Sequence, residues 1–336
     1  ANGAAVTTAN TAATLIGADF DFVGTLNTGS GNVTIGQSVT SQSLALGSAS
    51  STLLTDTELD LITTTGTLTI GQATTAGSDG AGTSASTLTS AAITSDGLTL
   101  GSKNIALVSG STVDLGSLTT TGTLSVTSSG AVTDSGALAI TGTTTIAAGS
   151  GNSITLDNTS NNFQGAVSIT TGNNVTLVDA GAIDLGASTV SGTYAVTATS
   201  GGDITDSGVL AITGASTLTV AGGQNITLDQ SSTFTGAVTF AASSGTLAAV
   251  TINDSTAFDL KAMTLTGNLS VTAGGAVTDS GALVIPGTTT IAAGSGNNIT
   301  LDGTSNNFTG AVIITSGNNV TLVDAGALVL GASTVS

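Results

Sequence analysis

A recurring phrase places an aspartate at the end of a short apolar-polar alternation in the second half of the chain. Three copies read Ile-Thr-Leu-Asp and end at Asp157, Asp229 and Asp302. If equivalent copies stack on one another, their carboxylates lie roughly 5 Å apart and repel unless a cation, a proton or a hydrogen-bond donor compensates them. Because Ca²⁺ binds several oxygen ligands, these three aspartates are candidate calcium ligands. No other metal and no organic cofactor is predicted.

A structural role is the alternative for the same aspartates. Asp side chains commonly cap turns by hydrogen bonding to the backbone, and they tolerate left-handed geometry. The aspartate follows the threonine by two residues in Ile-Thr-Leu-Asp, by one in Val-Thr-Asp and by three in Val-Thr-Leu-Val-Asp. A ladder of metal sites would hold its ligands in a stricter register, so the spacing favours turn capping.

Two other side-chain patterns recur with the repeats. Phe163, Phe234 and Phe308 stand in nearly identical contexts, and we expect an interior aromatic ladder rather than a ligand platform. Tyr194 replaces an aliphatic residue at a strand position. Asparagines before the strand-like segments could bind a glycan, but a ladder of amides that satisfies turn hydrogen bonds from coil to coil is the favoured interpretation. These asparagines are Asn104, Asn174, Asn225, Asn298 and Asn319.

Charge and composition exclude several classes of function. Lys103 and Lys261 are the only cations, Arg, His and Cys are absent, and the formal net charge is −18. Nucleic-acid binding draws its affinity from Lys and Arg, so we expect no nucleic-acid partner. Carboxylate catalysis usually needs a cationic neighbour, and every aspartate that we can place belongs to a repeat, so we expect no enzyme. No segment reaches the roughly 18 apolar residues of a membrane helix, and we expect no membrane insertion.

The chain repeats itself over long distances. Residues 130–191 and 275–336 align without a gap and are identical at 53 of 62 positions. A third copy begins at residue 202, and this self-similarity at a period of about 72–73 residues indicates a repeat architecture. We therefore divide this region into super-repeats at 130–201, 202–274 and 275–336.

Each super-repeat contains several short segments that alternate apolar and polar residues, as β-strands do. Aspartates of the recurring phrase are spaced by about 24 residues, and each step holds three strand-like pieces. A short strand of this kind buries its apolar face only when the same piece of the next step stacks on it. The sequence thus predicts an all-β protein, a parallel β-helix (β-solenoid) with about 24 residues and three short strands per coil, and with three coils per super-repeat. We expect regular coils over 56–336 and a less regular start of the solenoid over 1–55.

The coils resemble the repeat regions of very large bacterial secreted proteins. Stretches rich in Gly, Thr, Asn and Asp, such as residues 130–157 and 172–188, are typical of them. These proteins are the filamentous-haemagglutinin-like, two-partner-secretion and β-strand-repeat adhesins. The resemblance covers roughly residues 100–336. It implies a right-handed parallel β-helix, export across an outer membrane, and a role as a fibre, stalk or adhesin.

Three functions follow as expectations. The first is a non-enzymatic, extracellular structural fibre or filament subunit of a bacterial surface, sheath or matrix. The alternative is the stalk of a large secreted adhesin, and the second alternative is a calcium-dependent surface for glycan binding. Neither terminus has an amphipathic cap, so we expect the coils either to stack end to end between chains or to continue in a longer chain. Surface glycans and a host or cell surface are the other candidate partners.

Overall fold

The computed structural model describes residues 4–38, 42–48, 54–75 and 86–336. Of the predicted less regular start at 1–55, residues 1–3, 39–41 and 49–53 lie outside the described residues. The fold is an all-β parallel β-solenoid of about 14 turns, which are about 21 residues apart. This confirms the predicted fold class. Threonine, valine and isoleucine favour the pleated strands, and glycine and asparagine fill the turns between them.

The described residues contain one short helix, α1 (Asp56–Asp60). Thr55 caps its start: the Thr55 hydroxyl accepts a hydrogen bond from the Glu58 N–H, and the Glu58 carboxylate accepts one from the Thr55 N–H. This reciprocal capping box satisfies two backbone donors that a helix start leaves open. The helix therefore interrupts the first part of the region for which regular coils are predicted.

The chain divides into two compact units, one of residues 1–165 with 170–173 and the other of residues 166–169 with 174–336. The strands of the first unit are β1 (Val6–Thr7), β2 (Ala13–Gly17), β3 (Leu26–Gly29), β4 (Val33–Gln37), β5 (Leu44–Gly47), β6 (Ile62–Thr64), β7 (Thr67–Ile70), β8 (Gln72–Thr75), β9 (Ser86–Thr89), β10 (Ile93–Asp96), β11 (Leu98–Thr99), β12 (Asn104–Ser109), β13 (Val113–Leu115), β14 (Leu118–Thr120), β15 (Leu124–Ser128), β16 (Val132–Asp134), β17 (Leu138–Ile140), β18 (Thr144–Ala147), β19 (Ile154–Leu156) and β20 (Asn162–Phe163).

Three parallel sheets form the main faces of the first unit. Their strand orders are β2-β4-β7-β12-β15-β18, β5-β10-β13-β16-β19 and β11-β14-β17-β20. The register is regular from β12 onward; Leu124, for example, pairs with Thr144 in the next coil. Earlier coils contain longer excursions, including the antiparallel pair β8 and β9 between β7 and β10.

The second unit continues the strand numbering. Its strands are β21 (Val167–Thr171, which crosses the division), β22 (Val175–Asp179), β23 (Ile183–Leu185), β24 (Ser188–Val190), β25 (Tyr194–Ala198), β26 (Ile204–Asp206), β27 (Leu210–Ile212), β28 (Ser216–Val220), β29 (Ile226–Phe234), β30 (Val238–Ala242), β31 (Val250–Asp254), β32 (Phe258–Leu260), β33 (Met263–Thr264), β34 (Leu269–Ala273), β35 (Val277–Asp279), β36 (Leu283–Ile285), β37 (Thr289–Ala292), β38 (Ile299–Leu301), β39 (Asn307–Phe308), β40 (Val312–Ser316) and β41 (Val320–Leu322).

One long parallel sheet runs through the second unit in the order β23-β26-β29-β31-β34-β37-β40. A second sheet, β22-β25-β28-β30, ends at β30. Two further sheets begin after it, β32-β35-β38-β41 and β33-β36-β39. The point at which one set of sheets ends and the next begins is the main irregularity of this unit.

The coil is shorter than the sequence predicts. The successive partners along the long sheet are Ile204, Ile226, Val250, Leu269 and Thr289. Four steps thus lead from residue 204 to residue 289, in agreement with coils that are about 21 residues apart. A super-repeat therefore spans about three and a half coils, and the predicted three coils are too few.

The half coil moves equivalent phrases to different sheets. Ile204–Asp206 lies in the long sheet, whereas its counterpart Val277–Asp279 lies in the sheet that β32 begins. Conversely, Ser216–Val220 lies in the sheet that ends at β30, and its counterpart Thr289–Ala292 lies in the long sheet. Successive super-repeats thus place the same sequence on different faces of the second unit.

The core follows the predicted alternation. Thr144 and Ile146 are buried between the outward residues Thr143 and Thr145, and Leu218 and Val220 are buried in the same way. Such strands bury one apolar row along each face of the coil. Among the described residues, no helix is both long enough and apolar enough to span a membrane.

Candidate functional site

Asp134 and Asp279 show the structural role of the recurring aspartates, which is to bind backbone groups of the next coil. The Asp134 carboxylate accepts hydrogen bonds from the backbone N–H of Asp157 at 2.9 Å and of Asn158 at 3.2 Å, one coil further on. The Asn161 amide donates to the same carboxylate at 2.6 Å, and its oxygen accepts from the Leu138 N–H at 2.9 Å. Asn161 is fully buried. This aspartate–asparagine clamp joins two adjacent coils through groups that would otherwise be left without partners.

The second unit contains the same clamp in its last super-repeat. Asp279 accepts from the backbone N–H of Asp302 at 3.0 Å and of Gly303 at 3.2 Å. Asn306 donates to Asp279 at 2.7 Å and accepts from the Leu283 N–H at 3.0 Å. The carboxylates of the Val-Thr-Asp phrases thus hold the following coil, which is a backbone-capping role.

Asp206 occupies the equivalent position with one partner fewer. Ser232 stands where the other copies have the buried asparagine; its hydroxyl still accepts from the Leu210 N–H at 3.0 Å, but it supplies no amide to the carboxylate. Asp206 therefore accepts the Asp229 N–H at 2.8 Å through Oδ1, while its buried Oδ2 has no hydrogen-bond partner. Burial first, and then the nearby Asp229 carboxylate, raise the pKa of Asp206 to about 6.

We expect the Asp206→Asn variant to lose part of the pH dependence of stability. Because the folded-state pKa lies above the unfolded value of 3.8, the contribution of protonated Asp206 is fully present below about pH 4 and is lost as the pH rises through about 6. The asparagine keeps an oxygen for the Asp229 N–H and never ionises. Urea unfolding should show a gain on the order of 2–3 kcal/mol over wild type at pH 7 and little difference at pH 4.

The matched control for this prediction is Asp229→Asn, which removes one negative charge from an exposed position one coil away. If both variants change the unfolding midpoint equally at pH 7, general charge repulsion rather than the buried position of Asp206 is responsible. If the stability of wild type relative to Asp206→Asn rises between pH 4 and pH 6, the raised pKa is contradicted.

The structure does not bring the predicted calcium ligands together. Asp157, Asp229 and Asp302 each supply a backbone N–H to the clamp of the preceding coil, and their own side chains are exposed. Asp229 and Asp302 lie more than three coils apart in the second unit, at least about 14 Å at the spacing of parallel strands. Among the described residues, no three Asp or Glu side chains form a group that could hold a metal ion.

The other predicted patterns are interior or inter-coil features. Asn104 accepts the Thr123 N–H and Asn174 accepts the Thr193 N–H, each in the next coil, so these amides do link coils. An amide-to-amide step occurs between Asn298 and Asn319 at 3.1 Å. The three phenylalanines are all buried, as expected, but each pairs with an isoleucine instead of another phenylalanine: Phe163 with Ile140, Phe234 with Ile212 and Phe308 with Ile285.

A recurring docking contact appears at the end of the first and the last super-repeat, between residues of the second unit. Val167 pairs with Leu185, and the Gly186 N–H donates to the Val167 carbonyl at 2.9 Å. The Ser188 hydroxyl accepts from the Ile169 N–H at 3.0 Å. A strand edge thus receives the segment Leu-Gly-Ala-Ser-Thr-Val of residues 185–190.

The same contact recurs in the last super-repeat with the same sequence. Val312 forms a bridge with Leu330, the Gly331 N–H donates to the Val312 carbonyl at 2.8 Å, and the Ser333 hydroxyl accepts from the Ile314 N–H at 3.0 Å. The docked segment is Leu-Gly-Ala-Ser-Thr-Val of residues 330–335. Close approach depends on the glycine, because a Cβ on Gly331 would lie 2.6 Å from the Ile313 Cγ1.

The equivalent contact of the middle super-repeat, at the edge of β30, is not formed. The corresponding segment, residues 260–265, reads Leu-Lys-Ala-Met-Thr-Leu, so that Lys261 replaces the glycine and Met263 replaces the serine. β30 pairs with β28 alone among the described strands, and β32 and β33 begin new sheets. The strands separate, and we call the space between Val238–Ala242 and Phe258–Thr264 the junction groove.

The junction groove has two lobes. One is a cavity of about 370 Å³ with Phe240, Leu247, Met263 and Val284 in its wall. The other, of about 230 Å³, is lined by Phe234, Val238 and Phe258 and by the charged pair Asp259 and Lys261. Both lobes thus combine an apolar wall with an unpaired strand edge.

A polar cluster closes the second lobe. The Lys261 Nζ lies 2.7 Å from the Asp259 Oδ2 and donates to the Ser280 hydroxyl at 3.0 Å. Ser280 donates to Asp259 at 2.7 Å, and Thr278 donates to its other oxygen at 3.1 Å. Burial acts to raise the pKa of Asp259, but the hydrogen bonds from Lys261, Ser280 and Thr278 outweigh it and lower that pKa. The groove was not predicted from the sequence, although Lys261 stands at a position where the other two repeats have glycine.

The repeat pattern also identifies the family. A model of the DUF5649 family, described as repeats of unknown function, matches residues 102–170, 172–241 and 247–315. The junction groove lies where the second matched repeat meets the third. No curated protein and no solved structure matches the chain. Three matched repeats cover more than half of the sequence, and the chain belongs to the DUF5649 repeat family.

Proposed function

We propose that this chain is a non-enzymatic structural part of an extracellular fibre or filament of a bacterial surface, sheath or matrix. The observation that supports the proposal most strongly is the use of the acidic side chains. Asp134, Asp206 and Asp279 direct their carboxylates at the backbone of the next coil. Side chains that could otherwise do chemistry hold one coil to the next, which is what a fibre requires.

Composition and resemblance support the same proposal. A net charge of −18 on a chain with few cations keeps neighbouring fibres apart in water and leaves them open to bridging by divalent ions. Absence of cysteine removes thiol oxidation and disulfide exchange from the chain. The coils resemble the repeat regions of filamentous-haemagglutinin-like secreted adhesins, so the stalk of such an adhesin is the alternative function.

Self-association of the purified chain tests the proposal. We expect filaments in negative-stain electron microscopy and a fast-sedimenting species in analytical ultracentrifugation, both in calcium and in excess EDTA. The triple variant Asp157→Asn, Asp229→Asn and Asp302→Asn should assemble as wild type does, because its side chains face solvent. Single particles at every concentration would contradict the filament proposal and favour the stalk. Saturable glycan binding that EDTA and the triple variant both abolish would favour the calcium-dependent surface.

A further inference from the structure

The junction groove is a vacant copy of a docking site that the chain fills twice elsewhere. Three equivalent edges in the second unit begin with Ala-Val, at residues 166–169, 237–240 and 311–314. Residues 185–190 occupy the first edge and residues 330–335 occupy the third, through the same two hydrogen bonds and with the same sequence. The middle edge, in β30, has no strand on its outer side among the described residues.

Two substitutions explain why the chain does not fill the middle edge itself. At the occupied sites glycine lies against the edge: a Cβ on Gly186 would lie 2.2 Å from the Ser168 Oγ. Lys261 has a long side chain at this position and directs it to Asp259 and Ser280. Met263 has no hydroxyl to accept the edge N–H that Ser188 accepts elsewhere. The chain's own segment therefore lacks the serine bond, and the bulk of the lysine side chain opposes the close approach that the backbone bond of the glycine needs.

The vacant edge presents the groups that an incoming strand needs. Ala237 bonds toward β28, since its carbonyl accepts from the Ser216 N–H at 2.8 Å. Polar groups of alternate residues in a parallel strand point to opposite sides, so the Val238 carbonyl and the Phe240 N–H point into the groove. These correspond to the Val167 carbonyl and the Ile169 N–H of the occupied site. Phe240, Leu247 and Met263 supply an apolar wall beside them.

We propose that the junction groove binds a Leu-Gly-Ala-Ser-Thr-Val segment from a second copy of this chain by strand addition. Each copy contains that segment twice, and both segments are docked in their own chain. Residues 185–190 are held on both sides, by β21 and β27. The donor is therefore residues 330–335, where Leu330 and Val335 are exposed, and it leaves its own edge at Val312 to bind the groove of the second copy. The glycine N–H of the segment donates to the Val238 carbonyl, and its serine hydroxyl accepts the Phe240 N–H. Main-chain bonds supply the affinity, and the small side chains of the segment supply the selectivity. The contact does not depend on whether the chain forms filaments.

A fluorescent, end-capped Leu-Gly-Ala-Ser-Thr-Val peptide tests the acceptor site by fluorescence anisotropy. We expect saturable binding to the whole chain, and at least tenfold weaker binding of Leu-Gly-Ala-Pro-Thr-Val, in which proline replaces the hydrogen-bonding serine. The double variant Lys261→Gly with Met263→Ser should lose the peptide, because its own segment can then fill the edge. Ala282→Trp, at an exposed position in the groove wall, should block the peptide without changing the docking segment.

The donor is tested on the same proteins by sedimentation. Wild type should form a species of two or more copies that an excess of the peptide dissociates, and the double variant should lose this peptide-sensitive association while keeping its far-ultraviolet circular dichroism. Equal binding of the serine and proline peptides, or binding that Ala282→Trp leaves unchanged, would overturn the acceptor site. Peptide binding without any peptide-sensitive association of whole chains would overturn the second copy as the donor. Filaments that survive in the double variant would leave the proposed function intact, so the two proposals fail separately.

Discussion

Replacing Tyr194 by alanine is expected to lower the free energy of unfolding by about 3–5 kcal/mol, the usual range for the loss of a buried aromatic ring. Tyr194 is fully buried and is the largest such side chain among the described residues. It pairs with Val175 on one side and with Ser216 on the other, so a large ring in one coil lies against a small side chain in the next. Val175 and Ser216 are both smaller than the ring and cannot fill the cavity that alanine would leave. Urea unfolding monitored by circular dichroism measures the change.

Tyr194→Phe is the matched control, because it keeps the ring and removes only the hydroxyl. That hydroxyl is buried beside Ser188 without a hydrogen-bond partner, and burial raises the pKa of Tyr194. Removing an unpaired buried hydroxyl should leave stability unchanged or raise it by up to about 1 kcal/mol. A loss in Tyr194→Phe as large as that in Tyr194→Ala would show that the hydroxyl, rather than the ring, stabilises this coil.

Gly214→Ala is the second substitution with a large expected effect, a loss of about 2–3 kcal/mol from overpacking. Glycines stack directly on the backbone of the preceding coil: the Gly214 N–H donates to the Gly192 carbonyl at 3.0 Å. A Cβ on Gly214 would lie 2.3 Å from that carbonyl oxygen. Backbone atoms cannot rotate away as a side chain can, so two coils must separate locally. Thermal or urea unfolding of the variant measures the loss.

Gly296→Ala serves as the control in the same unit. A Cβ at Gly296 would meet no atom within 4 Å, and its backbone is outside the left-handed region. Alanine there should be neutral or stabilise by up to about 1 kcal/mol, since it restricts the unfolded chain. Equal losses at Gly214 and Gly296 would mean that general glycine flexibility, rather than coil-on-coil contact, sets the requirement for glycine.

The alternation of apolar and polar residues was sufficient to predict the fold. Thr144, Ile146, Leu218 and Val220 face inward as their period of two requires, because a strand has only two sides. A repeated short strand with one apolar side has few ways to bury that side other than stacking on its own copy. The β-solenoid was therefore accessible from the sequence without any knowledge of the turns.

Coil length could not be obtained in the same way. The recurring aspartate phrase predicts one coil per aspartate, but Ile204–Asp206 and Val277–Asp279 lie on different sheets. The position of a phrase around the coil depends on how many strands precede it, and strands of different sheets, such as β28 and β31, alternate apolar and polar residues in the same way. The unequal spacing of the aspartates was the visible sign that the phrase does not mark the coil.

The capping aspartates and the junction groove could not be predicted from the alternation of apolar and polar residues. Asp134 ends β16 and its carboxylate caps the next coil, whereas Asp157 follows β19 and its side chain faces solvent. The junction groove follows from two side chains, Lys261 and Met263, that differ from glycine and serine in otherwise equivalent segments. Comparing repeats position by position finds these differences, whereas their effect on strand pairing requires the registers of the sheets.

Diffraction from aligned native fibres that contain this chain tests the central claim most directly. Coils stacked by parallel strand pairing in a structural fibre predict a strong meridional reflection near about 4.8 Å, because the hydrogen bonds between coils then run along the fibre axis. The reflection should persist after calcium is removed with EDTA, since the clamps of Asp134 and Asp279 use backbone and amide donors. The same reflection on the equator, or native material that contains the chain only as separate particles, would contradict the account.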